Sequence, residues 1–289
     1  MHDYAALEAL AEIIRRGSFE AAAAQLSLTP SAVSQRIKGL EERLGAVLIH
    51  RGPPATGTET GLRLMQHLDQ VRLLEQSLET AIRPKAGPAV LKIAVNADSL
   101  ATWFMPAMTA LPVLFDLVID DQDHARDWLR QGQVSAAITS NPNPVAGCDA
   151  RALGHMRYLA TATPEFHARH FAQGLTAQSL AAAPTIIFNT KDALQMRWAE
   201  RATGAKLRLS GHRIPASEPF AHAIELGLGW GMIPESMALP AITAGRLVTL
   251  APGQPFDVPL YWQVSRDIAA AIAPLTQAIC KRAAEDLRP

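Results

Sequence analysis

Residues 18–44 read SFEAAAAQLSLTPSAVSQRIKGLEERL, and this stretch sets the character of the whole N-terminal end. It predicts two short helices joined by a tight turn. Phe19, Leu26 and Leu28 supply apolar anchors, and the alanines from Ala21 to Ala24 let another helix approach closely. Thr29 stands where an N-cap is wanted, with Pro30 at the first helical position, where a missing N–H costs nothing. Val33, Ile37, Leu40 and Leu44 then recur at helical spacing and mark one buried face. The opposite face carries Ser31, Ser34, Gln35 and Lys38, with no acidic residue among them. On the second helix of a helix-turn-helix such a stripe suits base edges and the phosphates beside them. An ordinary amphipathic surface helix is the competing reading.

Working outward, Asp3 is placed to cap a first helix bearing Leu7, Leu10 and Ile14, which Gly17 ends before Ser18 caps the next. After Gly45, AVLIHR (46–51) is strand-like and GPPATGT (52–58) is a turn, so a two-stranded wing is predicted. Arg51 at the wing is placed for a phosphate, the alternative being a solvated surface charge. Residues 59–83 give the longest helix signal, with Leu64, Leu68, Val71, Leu78 and Ile82 close to a heptad seam. That stripe predicts a partner helix from a second protomer, or else packing on the next domain. Residues 84–89, beginning Pro-Lys-Ala-Gly-Pro, read as a hinge.

Past the hinge, strands and helices alternate. Strands are predicted at 91–95, 117–120 and 136–139, with helices over 100–111 and 125–131 between them. A second series follows: strand 185–189, helix 191–203, strand 207–214 and helix 218–228, with a last strand at 259–264 and an Ala-rich helix from about 268. Alternation of this kind implies mostly parallel sheet in two α/β lobes with a cleft between them.

Formal net charge is zero, so any nucleic-acid contact has to come from a local patch; Arg36, Lys38, Arg43 and Arg51 provide one against Glu41 and Glu42. Arg36 sits on the flank of its helix, equally suited to a phosphate or to an intramolecular pair with Glu41 or Glu42. Cys148 and Cys280 are far apart and lack metal-ligand spacing, which argues for reduced thiols and against a zinc site. The acidic, weakly apolar N-terminus is unlike a signal peptide, and no apolar run reaches membrane-spanning length. A cytoplasmic protein without a membrane segment is expected.

With these residues in place the chain resembles the LysR-type transcriptional regulators. AAAAQLSLTPSAVSQRIKGLEERLG, the wing ending at Arg51 and Thr58-Glu59-Thr60-Gly61 resemble their DNA-binding end, and LGLGWGMIP (226–234) resembles their glycine-rich segment leading to proline. Within that family QRIKGLE, VNADSLATW (95–103) and LYW (260–262) are similar to the regulators of arginine and lysine export, the ArgP/LysG-like group. Ser135 and the Pro53-Pro54 pair depart from the family pattern. The resemblance implies an α+β multidomain chain: a winged helix-turn-helix over 1–58, a linker and dimerisation helix over 59–83, and a two-lobed α/β effector domain of periplasmic-binding-protein type over 90–289. Lobe I would take about 90–161 and 268–289, and lobe II about 162–267. It also implies a double-stranded DNA operator, a homodimer or homotetramer, RNA polymerase as a further partner, and a small-molecule effector with no cofactor or metal.

The effector site is argued from charge. A helix starting near Asp98 and Ser99 would offer N–H groups to a carboxylate. Asp120, Asp121 and Asp123, at the end of the second strand, would repel one another unless a cation intervened. Lysine or arginine has both complements; solvated turn aspartates are the plainer alternative. Thr139, Ser140, Ser217 and Glu218, at strand ends or helix starts, are secondary candidates. An enzyme is disfavoured, since no nucleophile or metal constellation is present and Gly227, Gly229 and Gly231 lack the context of a dinucleotide site. A LysR-type regulator with a different effector, or a solute-binding protein without DNA-regulatory role, are the alternatives.

Overall fold

The computed structural model describes residues 3–79, 89–120 and 125–289. Three helices open the chain: α1 (Tyr4–Arg16), α2 (Phe19–Leu26) and α3 (Pro30–Leu44). Their ends follow from local chemistry. The Asp3 carboxylate accepts from the Ala6 N–H, the Ser18 hydroxyl from Glu20 and Ala21, and the Thr29 hydroxyl from Ala32. Gly17 and Gly45 close α1 and α3 with φ near +65°, a conformation open to glycine. Strands β1 (Ile49–His50) and β2 (Thr56–Gly57) pair antiparallel as the wing. Helix α4 (Glu59–Glu79) follows directly. Gly61 in its first turn has a structural cause: a methyl there would run into the Leu48 carbonyl oxygen at the base of the wing.

Leu7, Leu10, Ile13, Val33, Ile37, Leu48, Ile49 and Leu68 form one buried cluster, with Leu64 and Met65 packed against it. This corrects the expected seam. Leu68 is 2% exposed inside its own chain, and Leu64 turns the same way, so both close the winged-helix core on α1 instead of meeting a partner. Arg15 pairs with Asp69, and Arg72 with Glu8 at 3.1 Å, which fixes α4 along α1. Val71 is half-buried; the Leu78 side chain and Ile82 lie outside the described residues, as does most of the hinge.

The second region begins with β3 (Val90–Val95). A single helical turn, α5 (Ala97–Ser99), continues into wider and then tighter turns up to Ala110, where a regular helix was expected. Then come β4 (Leu114–Ile119), α6 (Ala125–Arg130), β5 (Ala136–Thr139) and β6 (Cys148–Ala162). Next are α7 (Pro164–Phe171), α8 (Ala177–Ala182), β7 (Thr185–Ile187), α9 (Leu194–Thr203) and β8 (Gly211–Arg213). The chain ends with α10 (Ser217–Glu225), β9 (Gly231–Pro234), α11 (Glu235–Thr243), β10 (Val248–Thr249), β11 (Phe256–Ser265) and α12 (Ala273–Asp286).

The large sheet is mixed. β4, β3 and β5 run parallel, β11 lies antiparallel between β5 and β6, and the far end of β6 carries β9 and β10. A mostly parallel sheet in two lobes was expected; β7 and β8 do pair in parallel as a small sheet of their own, but the long strands β6 and β11 are antiparallel. β11 bears on the lobe assignment, since its residues Tyr261–Val264 pair with β5 in the first lobe although 162–267 was assigned to the second. The turning point is visible in the pairing: register shifts between Leu260 and Tyr261, opposite Gly154, whose φ is +112°. A bulge there increases local twist and redirects both strands. Trp103, Phe104, Trp198, Trp230 and Trp262 are buried along this continuous core. The linker helix touches the region through Gln66, whose amide donates to the Val134 carbonyl at 2.9 Å.

Candidate effector cleft and DNA-binding face

On α3 the two faces separate as the spacing required except at Leu44, which is exposed in the last turn. Val33, Ile37 and Leu40 are buried, Ser31, Gln35 and Lys38 are exposed, and Ser34 is half-buried. Lys38 lies 3.8 Å from Glu42, an exposed pair that contributes little and leaves the ammonium available. Arg36 reaches back toward the Ala5 carbonyl at 3.5 Å, and among the described residues it pairs with neither Glu41 nor Glu42. Glu41 turns to the wing: one oxygen accepts from the Leu48 N–H at 2.8 Å, the other lies 3.6 Å from Arg51. Arg51 also stacks 5.6 Å from the Phe19 ring centroid and stays half exposed, tethered but presented outward.

The cleft of the second region gathers residues from distant elements. Asn96 and Asp98 follow β3, Asp120 follows β4, and Tyr158 projects from β6. Lys191 and Asp192 lie on the loop after β7, Gln195 and Arg197 on the first turn of α9, and Ser217 at the start of α10. Asp98 is central. Ser217 donates to one of its oxygens at 2.6 Å and Tyr158 to the other at 2.8 Å. No cation meets it among the described residues. Burial pushes its carboxyl above the usual carboxylate range; the Ser217 and Tyr158 bonds pull the other way, and the nearby Asp192 charge adds to the rise. Asp120 accepts from the Trp128 indole at 2.9 Å and from Lys191 at 3.2 Å across the cleft. Among the described residues the buried Asn96 Oδ1 and Gln195 Oε1 accept no hydrogen bond, so two acceptors of the lining face the cavity region without a protein donor. Arg197, 5.3 Å from the Phe256 ring centroid, brings a positive charge to the same cavity.

Of the residues expected at the site, Asp98 and Ser217 are brought together. Asp121 and Asp123 lie outside the described residues. Thr139 is fully buried and bonds Gln263 and Asn141, so it braces the β5–β11 junction and does not line the cavity. Ser99 is buried, while Glu218 is exposed, and neither lines the cavity; nor does Ser140. The regular helix at Ser99 is one turn long, and its first turn already holds the Asp98 carboxylate, which would repel a second anion. Tyr158, Lys191, Gln195 and Arg197 were missed, because nothing local distinguishes them from ordinary strand, loop and helix residues.

A winged helix-turn-helix joined by a long helix to an α/β domain with a central cleft defines a ligand-responsive DNA-binding regulator. Residues 4–62 match the family described as "Bacterial regulatory helix-turn-helix protein, lysR family", and residues 88–284 match "LysR substrate binding domain". The chain belongs to the LysR-type transcriptional regulators. It is 42% identical over 296 residues to "HTH-type transcriptional regulator ArgP" of Pseudomonas fluorescens, covering 100% of this chain and 99% of that one. It is 40% identical to "Lysine export transcriptional regulatory protein LysG" of Corynebacterium glutamicum, covering 98% of each. Among solved structures, ArgP from Mycobacterium tuberculosis superposes with a TM-score of 0.87 at 40% identity, covering 100% of this chain and 99% of that one. Full-length LysG from Corynebacterium glutamicum with bound effector Arg superposes with a TM-score of 0.74 at 39% identity over 100% of both chains. Among the described residues no helix is long and apolar enough to cross a membrane.

Proposed function

We propose that this chain senses a basic amino acid, arginine or lysine, in the cleft at Asp98 and regulates a gene for amino-acid export from a DNA operator. Asp98 supports the reading most directly: a buried carboxylate between two neutral donors, lacking a described cationic partner, is completed by a cationic ligand. The acceptors of Asn96 and Gln195 suit the many donors of a guanidinium or an ammonium, and Arg197 suits the ligand's carboxylate. The relative with bound arginine and the relative named for lysine export point the same way. Binding, with no catalytic step and no cofactor, is the whole chemistry of the site.

In this reading Ser31, Ser34, Gln35 and Lys38 enter the major groove and Arg51 holds the backbone, with residues 1–58 as the DNA-binding domain, 59–83 as the linker helix and 90–289 as the effector domain. Pairing of two chains through the outer part of α4, from Val71 onward, would present two recognition helices to two half-sites in the cytoplasm, where RNA polymerase reads the result. Gln35→Ala is expected to cost about 1–3 kcal/mol of discrimination, seen as a smaller ratio between affinities for operator and random DNA. Equal losses on both would make Gln35 a phosphate contact. The effector reading is tested by calorimetric titration with arginine, lysine and neutral amino acids, alongside gel shifts with and without each. Saturable binding of the basic pair, changing the DNA complex, is expected; indifference to both would overturn it.

A further inference from the structure

Asp120 carries a cation supplied by the chain itself. The Lys191 ammonium lies 3.2 Å from its Oδ1, while the Trp128 indole N–H holds Oδ2 at 2.9 Å. The Asp120 side chain is 17% exposed and that of Lys191 50%, so the carboxylate is sunk in the wall and the lysine reaches it from solvent. Both residues line the same cavity as Asp98. The backbone beneath Lys191 is fixed: the Asn189 side chain accepts from the Lys191 and Asp192 N–H groups, and Asp192 accepts from Phe188 and Leu194. The side chain alone is therefore free to swing away.

We infer that, with the effector's α-ammonium at Asp98 and its side-chain cation at Asp120, Lys191 is a built-in competitor for that side chain and sets the concentration at which the chain responds. The inference rests on the basic amino-acid reading of the cleft. An incoming guanidinium or ammonium that takes Asp120 competes with Lys191 for it and displaces the lysine into water. Displacement stabilises neither ligand over the other, because the ion pair being broken lies within the chain itself. Its cost falls equally on arginine and lysine, and it spares a ligand with an uncharged side chain, which leaves Lys191 in place. A pair half open to water has a modest worth, so the threshold shifts by a few-fold and the site stays usable.

The test is calorimetric titration of the full chain and its Lys191→Met variant with arginine, lysine and citrulline, a neutral near-isostere of arginine. Lys191→Met is expected to tighten arginine and lysine by the same factor, on the order of threefold, while citrulline affinity stays put. Lys191→Arg, which keeps a competing cation, should remain as weak as the parent chain. Weaker binding of the basic pair would make Lys191 a ligand contact and overturn the proposal. So would an equal change for all three ligands, which would make it a pin between lobes, or no change at all. Wild-type chain that binds neither arginine nor lysine would overturn the effector reading itself, and this inference with it; that titration is read before any variant. Thermal melts of both variants matching wild type would show that the half-exposed loop position tolerates the changes.

Discussion

Asp98→Asn is expected to reduce arginine and lysine affinity by roughly 100-fold or more while leaving ligand-free DNA binding intact. The substitution keeps the shape and removes the charge, while one of the two hydroxyls, Ser217 or Tyr158, must turn from donating to accepting from the new amide N–H. Truncating one partner of a desolvated, hydrogen-bonded charge pair costs about 2–5 kcal/mol, much of it from leaving the other charge unmatched. Asp98 also confers a pH dependence whose sign follows from its raised pKa. The folded, empty chain holds the Asp98 proton more tightly than the unfolded chain does. Stability from this group is therefore greatest below the ordinary carboxylate range and falls as pH rises toward the raised value. Ligand binding needs the anion, so affinity should climb as pH rises through that raised value and level off above it. Titrations across a pH series would show the climb in wild type and its absence in Asp98→Asn. Wild-type affinity in the variant would move the cationic subsite away from Asp98 altogether.

Leu68→Asp is expected to unfold the winged helix. Leu68 is buried against α1 at the point where α4 closes the N-terminal core. Its full burial is worth about 1.5–3 kcal/mol, and a carboxylate in its place has no donor to offset its desolvation. The sum, about 4 kcal/mol or more, approaches the whole stability of a small domain. Circular dichroism should show lost helix and gel shifts should show lost DNA binding. Arginine binding should survive, since the cleft is built on a separate core. A variant that stayed folded and bound DNA, but ran at half the wild-type mass, would return Leu68 to an interchain seam.

Those two residues mark the line between what is legible in sequence and what is not. The capped helices α1, α2 and α3 and the wing are written in short-range signals: Asp3, Ser18 and Thr29 each satisfy N–H groups two or three residues ahead, and Gly17 and Gly45 supply the stops. Caps and helical periodicity act within a turn or two, so the chain alone specifies them. The parallel strands β3 and β5 were legible for a similar reason, being short apolar runs bounded by turn residues. The stripe at Leu64 and Leu68 was read correctly as apolar and wrongly assigned, because periodicity says that a face is covered and never by what. Strand β6 left little trace: Gly154 interrupts it, and its partners on β11 lie about a hundred positions away. The cleft depends on tertiary structure even more. Asp98 meets Ser217 across 119 positions, and Asp120 meets Lys191 across 71. Asp98 was visible at a helix start and Asp120 at a strand end, but their partners are strand, loop and helix residues of ordinary type. The turn of β6 and β11 near Gly154 redirects both strands, and long-range geometry of that kind decides which of the described charges are buried and which are paired.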